Sequence, residues 1–171
     1  SCLVGSEMCI RDSLGAQNIG AGKPERAIQT LRYAVMLAAG FGVLASIAIQ
    51  FTAEGIVSLF TDPSTADGAA VVRFGGQYLR GYIFDWIFAG IHFSFSGFFC
   101  ACRKSGLSFL HNILAIVLMR VPGVYVTSKL FPATLLPMGL ATAAGSLLSV
   151  VICLIAFGLI RRKSTLVLVE E

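Results

Sequence analysis

The chain has 171 residues, 56% of them hydrophobic and only 13% charged, with a formal net charge of +4 and a mean hydropathy of +0.82. A soluble domain carries roughly 25% charged residues, so an ordinary water-soluble fold is excluded. Several apolar runs reach the ~20 residues that cross a bilayer as a helix, and none alternates at period two as barrel strands do. The predicted class is therefore all-α: a polytopic membrane protein with about four transmembrane helices, and the lipid bilayer as its first partner. No nucleic-acid partner is expected. The 5 cysteines form no CxxC or Cys/His cluster, so no metal site is expected and the thiols read as packing groups.

Taken in order, residues 1–13 (SCLVGSEMCIRDS) match nothing that follows and lack the basic start and cleavage region of a signal peptide. They read as a non-native or unstructured leader, with the native chain expected to begin further upstream. Residues 14–32 form a Gly-rich loop and a helix start, with Pro24 in the first turn and Glu25 placed against the helix dipole. This is no phosphate-binding loop, because Gly22-Lys23 is followed by Pro24 where the Walker pattern needs Ser or Thr.

The membrane region, 33–163, divides into helices expected at about 33–52, 77–102, 107–128 and 134–160. Between the first two, Ile56, Val57, Leu59 and Phe60 predict a short interfacial segment, and Asp62-Pro63 an N-cap followed by a first-turn proline. Arg103 to Gly106 is a basic turn. Arg120 and Pro122 interrupt the third helix, where proline predicts a kink. The fourth is rich in small residues, among them Gly139, Gly145, Ser146 and Ser149, and reads as a packing helix. Residues 164–171 are a short tail.

Basic residues set the orientation. Lys23, Arg26, Arg32, Arg103, Lys104, Arg161, Arg162 and Lys163 fall on one side, which the positive-inside rule makes cytoplasmic. Loop 14–32 and the C-terminus are then cytoplasmic, and a multi-pass location in the cell inner (plasma) membrane is expected.

The most informative stretch is Gln77 to Cys102. At about 100° per residue, Tyr78, Tyr82, Asp85, Ala89, His92 and Ser96 fall within roughly 80° of each other on a helix. Trp86, Ile87, Ile91, Phe95 and Phe98 lie largely outside that stripe. An ionisable stripe on an apolar helix faces a protein interior or a wet cavity, which makes Asp85, Tyr82, His92, Tyr78 and Ser96 the candidate cation or substrate pathway. Asp85 and Arg120 fall at similar depth, ~12 Å from the same face at 1.5 Å per residue, and form a candidate intramembrane ion pair. Asp85 is thus either a cation or proton site tuned by Arg120 or half of a structural lock. His92 is a relay candidate or a packed histidine, His111 is expected at the interface, and Arg80 to snorkel outward.

Several motifs resemble the multidrug and toxic compound extrusion (MATE) transporters. Gln17-Asn18-Ile19-Gly20-Ala21-Gly22-Lys23-Pro24-Glu25-Arg26-Ala27 is similar to that family's QNxGAGxxxRA loop. The stretches LFTDP from Leu59, YLRGY from Tyr78, FSGFF from Phe95 and RVPGVY from Arg120 follow in the order of the family's second half. The resemblance implies twelve helices in two six-helix bundles, with the four here as the ninth to twelfth and Gln17, Asn18, Gly20, Gly22 and Arg26 as loop-motif positions. It further implies a fragment lacking its N-terminal transporter half, a small organic cation as substrate, and Na⁺ or H⁺ as coupling ion with no other cofactor. Two alternatives stand beside it: a lipid-linked saccharide flippase of the same broad fold and a non-transporting helical scaffold. An enzyme is not expected, since no HExxH or aspartate cluster is present.

Overall fold

The computed structural model describes residues 15–167, and side chains through 162. The leader 1–13 and residues 168–171 of the tail lie outside the described residues. All regular structure described is helical: α1 (Pro24–Ser58), α2 (Ala66–Ala101), α3 (Ser105–Ala115), a π-helical turn (Ile116–Arg120), α4 (Val121–Leu130) and α5 (Leu136–Val167). α3, the π turn and α4 form one continuous rod, so four rods are long and apolar enough to cross a membrane.

The rods exceed the apolar runs that mark them. At 1.5 Å per residue the 36 residues of α2 reach about 54 Å, against a hydrocarbon core of ~30 Å. Hydropathy locates the membrane-crossing part, whereas hydrogen bonding carries each helix on until a cap stops it. Three expectations change for this reason. Of the segment expected to be interfacial, Ile56 and Val57 belong to the last turn of α1, which ends at Ser58, and Leu59 and Phe60 form the turn that follows. Asp62 does not cap α2: it accepts from the Ser64 N–H at 2.9 Å, a local turn that holds its carboxyl below the usual carboxylate range. Thr65 is the N-cap, its hydroxyl accepting from the Gly68 N–H at 3.1 Å.

The third change concerns the loop motif. Residues 15–20 are helical rather than loop, and the chain reverses at Gly22 with φ +67°. The Lys23 N–H bonds the Asn18 carbonyl at 2.9 Å and the Gly22 N–H bonds Ile19 at 3.0 Å, the Schellman pattern. Pro24 then opens α1. Gly22 is there because the left-handed conformation costs a side-chain-bearing residue about 1–2 kcal/mol. The same pattern closes α2, where Lys104 bonds Phe99 at 2.8 Å and Arg103 bonds Cys100 at 3.0 Å. Here the left-handed position is held by Arg103 (φ 56°).

α2 is the central rod. It packs antiparallel to α1, where Gly42 meets Ile87 and Gly90 meets Ala38, and parallel to α5, where Gly81 meets Gly139. At the last crossing the backbones touch: a Cβ on Gly139 would lie 2.5 Å from the Tyr78 carbonyl oxygen and 2.6 Å from the Tyr82 nitrogen. Membrane helices gain most from such close approach because lipid offers no hydrophobic drive to pair them. At the Arg103 end, Leu31, Phe95, Phe99 and Cys153 form a buried cluster, with Phe157 packed edge-on against Phe95 and Phe98 at 5.8 and 5.5 Å.

Two outcomes follow from these contacts. Gly139→Val is expected to abolish a monodisperse folded species in detergent, while Gly158→Val, at a position with no neighbouring atom within 4 Å, leaves the size-exclusion profile unchanged. Arg103→Gly is expected to raise stability by about 1 kcal/mol and Gly22→Ala to lower it by a similar amount, read by thermal unfolding in micelles.

Candidate functional site: a charged cavity between the second and third rods

Three elements bring the intramembrane charges together. Asp85 sits midway along α2 and is 4% exposed. Arg120 ends the π turn, and its Nη2 donates to Asp85 Oδ1 at 3.0 Å. Ser146 of α5 donates to the same oxygen at 2.5 Å and accepts from Arg120 Nη2 at 3.1 Å. Sequence depth pointed to Asp85 and Arg120, whereas Ser146 was visible only as a small packing residue.

The π turn explains how Arg120 reaches inward. Pro122 has no N–H to return to the Leu118 carbonyl, and in a regular α-helix its ring would press on that carbonyl. The wider turn just before it absorbs the conflict, and one extra residue per turn rotates the helix phase by about 100°. Gly145 lets α5 lie against this turn, since a Cβ there would be 3.3 Å from Arg120 Cβ. Arg120 and Ser146 therefore arrive at Asp85 on separate but adjoining backbones.

Below the cluster, α2, α3 and α5 wall a cavity of about 510 Å³. Its lining includes Tyr82, Asp85, Ala89 and His92 from the predicted stripe, with Asn112 and Arg120 from the third rod and Ser146 and Ser149 from α5. The two ends of the stripe do not line it. Tyr78 stacks on Tyr82, centroids 5.6 Å apart, and Ser96 pairs with the Ser108 hydroxyl where α2 and α3 converge. Trp86, expected outside the stripe, does line the cavity and is half exposed. The wheel fails there because the cavity opens to one side of the polar stripe, between α2 and the third rod.

Three further placements differ from the sequence expectations or add to them. His111 is 2% exposed, since α3 begins at Ser105 and carries it nearly two turns along the rod to pack against Ser149. Arg80 pairs with Glu54 of α1 at 3.2 Å, and its backbone carbonyl accepts from Gln50 at 3.1 Å. The loop-motif residues Gln17, Asn18, Gly20, Gly22 and Arg26 are not part of the cavity lining. Gln17, Asn18 and Gly22 contribute backbone hydrogen bonds to the joint before α1, and Gly20 faces open space.

Chemically, both bonds fall on Asp85 Oδ1, so a cation that engages that oxygen displaces Arg120 or Ser146 from it. Among the described residues no group of three or more His, Cys, Asp or Glu side chains could hold a metal ion. Removing one partner of a buried pair strands the other, so Arg120→Ala is expected to destabilise the protein more than the double change Asp85→Asn/Arg120→Ala. A double-mutant cycle by thermal unfolding should return a coupling of about 1–3 kcal/mol, moderated because Arg120 keeps 38% of its side-chain surface exposed.

The MatE family model matches residues 3–126, a span that takes in α1, α2, α3, the π turn and half of α4. The match reaches back into the leader, to residue 3, and stops before α5, which supplies Ser146 and Ser149 to the cavity. No curated protein and no solved structure matches the chain. With well over half its length matched, the chain belongs to the MatE family of membrane transporters.

Proposed function

We propose that the chain is the C-terminal part of a secondary active efflux transporter that exports small organic cations in exchange for Na⁺ or H⁺. The observation that carries this reading is the cavity itself. It is walled by transmembrane helices, holds a buried carboxylate at its Asp85 end, and is flanked by the aromatic rings of Tyr82 and Trp86. A carboxylate inside a membrane attracts cations strongly, and aromatic faces favour organic ones. Arg120 acts as the resident counter-ion that an incoming cation or proton displaces, so occupancy of Asp85 loosens the tie between α2 and the third rod.

The remaining wall of the cavity is assigned to the upstream half of the transporter. Apolar surface on α1 at Met36, Leu37, Phe41, Leu44 and Phe51 is left for lipid or for those helices. The ends of the rods that carry Lys23, Arg103 and Arg161 are assigned to the cytoplasm of a plasma-membrane protein, by the positive-inside rule.

The test is ion-driven dye efflux from vesicles containing the transporter completed with its upstream helices. Asp85→Asn is expected to abolish dependence on the Na⁺ or proton gradient, with at least a tenfold loss of driven efflux in protein that remains folded. Gradient-driven efflux undiminished in Asp85→Asn would remove Asp85 from the mechanism.

A further inference from the structure

The chain has 2 histidines, and the fold buries both of them side by side. His92 of α2 is 4% exposed and His111 of α3 is 2% exposed, with ring centroids 5.5 Å apart and planes at 69°. They lie two turns from Asp85, and the cavity touches this floor through His92, Asn112 and Ser149. Two ring nitrogens, His92 Nδ1 and His111 Nε2, are buried without a hydrogen-bond partner. Buried polar atoms are nearly always satisfied, so two orphans on facing rings mark a place built for something to bind.

The hydrogen bonds around His111 say what kind of atom is orphaned. The Ser149 hydroxyl has one proton and donates it to the His111 backbone carbonyl at 3.3 Å. Its oxygen is also 3.3 Å from His111 Nδ1, and both contacts are hydrogen bonds together only in the tautomer whose Nδ1 carries the proton and donates it. In the neutral ring the other nitrogen, Nε2, is then a bare lone pair. A lone pair in an apolar wall accepts a proton or a hydrogen-bond donor, and it has no affinity for an anion.

We propose that His92 and His111 form a proton-binding pair that takes up a single proton between α2 and α3, at a site separate from the Asp85–Arg120 cluster. The proton comes from bulk water through the cavity and adds to one ring nitrogen, and no other bond breaks. A second proton is opposed by the first: two unit charges 5.5 Å apart at an effective dielectric near 20 separate the two uptake steps by roughly a hundredfold in proton concentration.

Few other charges face the pair. Asp85 and Arg120 line the same cavity but satisfy each other, and Tyr82 lies beyond them. α5 presents Ser146 and Ser149, with the Cys153 thiol one turn further on. α1 meets α2 at this height through Ala38 and Gly42, neither of which titrates. On the transport reading above, this pair is where a coupling proton loads; the proton uptake itself does not depend on that reading.

The experiment is an imidazole nitrogen-15 titration of the full 171-residue chain, labelled at histidine and held in lipid nanodiscs, where only these two residues report. Two steps about a hundredfold apart are expected. In His111→Asn, which keeps a side-chain amide near Ser149, no second ring charge opposes uptake, so the His92 curve should lose its two-step form and collapse to a single step. Three results would each overturn the proposal: two rings titrating together as independent groups, no uptake wherever the chain stays folded, or a His92 curve indifferent to His111→Asn. Should that variant fail to fold, the wild-type curve decides alone. No transport is measured, so a failed efflux test and a failed titration remain distinguishable.

Discussion

A carboxylate in the hydrocarbon slab is tolerated only where other groups replace the water it has lost, and the arrangement of this molecule answers that requirement at Asp85. The replacement comes from a guanidinium on one rod and a hydroxyl on another, both directed at a single oxygen. Such a cluster forms only if three backbones lie close together. Glycines at the crossings allow it: Gly81 and Gly139 bring α2 against α5, and Gly145 brings α5 against the π turn. Polar compensation and close packing therefore depend on each other here, and neither is a separate layer of stability.

The irregular third rod has a similar double role. Pro122 makes a straight α-helix unfavourable at the height of Asp85, and the π turn that results both relieves the proline and presents Arg120. The rod also stands apart from α2 over much of its length, joined near the turn by the Ser96–Ser108 contact and further out by the Arg120–Asp85 bond. The cavity occupies the gap between those two ties. An equilibrium that loosens the upper tie would change the shape of the cavity without disturbing the aromatic cluster around Phe95, Phe99 and Phe157.

The two histidines show why a shared cavity need not have one chemistry. At the Asp85 end the charges are matched and hydrogen-bonded, while at the floor Ser149 satisfies one face of His111 and leaves bare nitrogen on the other. A site of compensated charge and a site of unpartnered ring nitrogens lie within about two helical turns of each other. Such closeness supplies a physical route by which occupancy of one point alters the other.

Much of this was legible in the amino-acid sequence because it depends on local chemistry. Apolar runs of spanning length, basic residues at alternate turns, and a carboxylate and a guanidinium at matching depth are one-dimensional facts, and they determine an all-helical membrane protein with a charged interior stripe. The motifs from Gln17 to Tyr125 likewise sufficed for the family. Only the tertiary structure decided which part of the stripe is used. Tyr78 and Ser96 share a face with Asp85 but are covered by Tyr82 and Ser108, and Trp86 and Ser146 enter from directions that a single helical wheel cannot represent. The pairing of His111 with His92 was equally hidden, because residues 19 positions apart meet only when α2 and α3 fold back at Arg103. Periodicity specifies the face on which a side chain stands; which neighbour it meets is set by how the rods cross, and that is a property of the whole packed bundle.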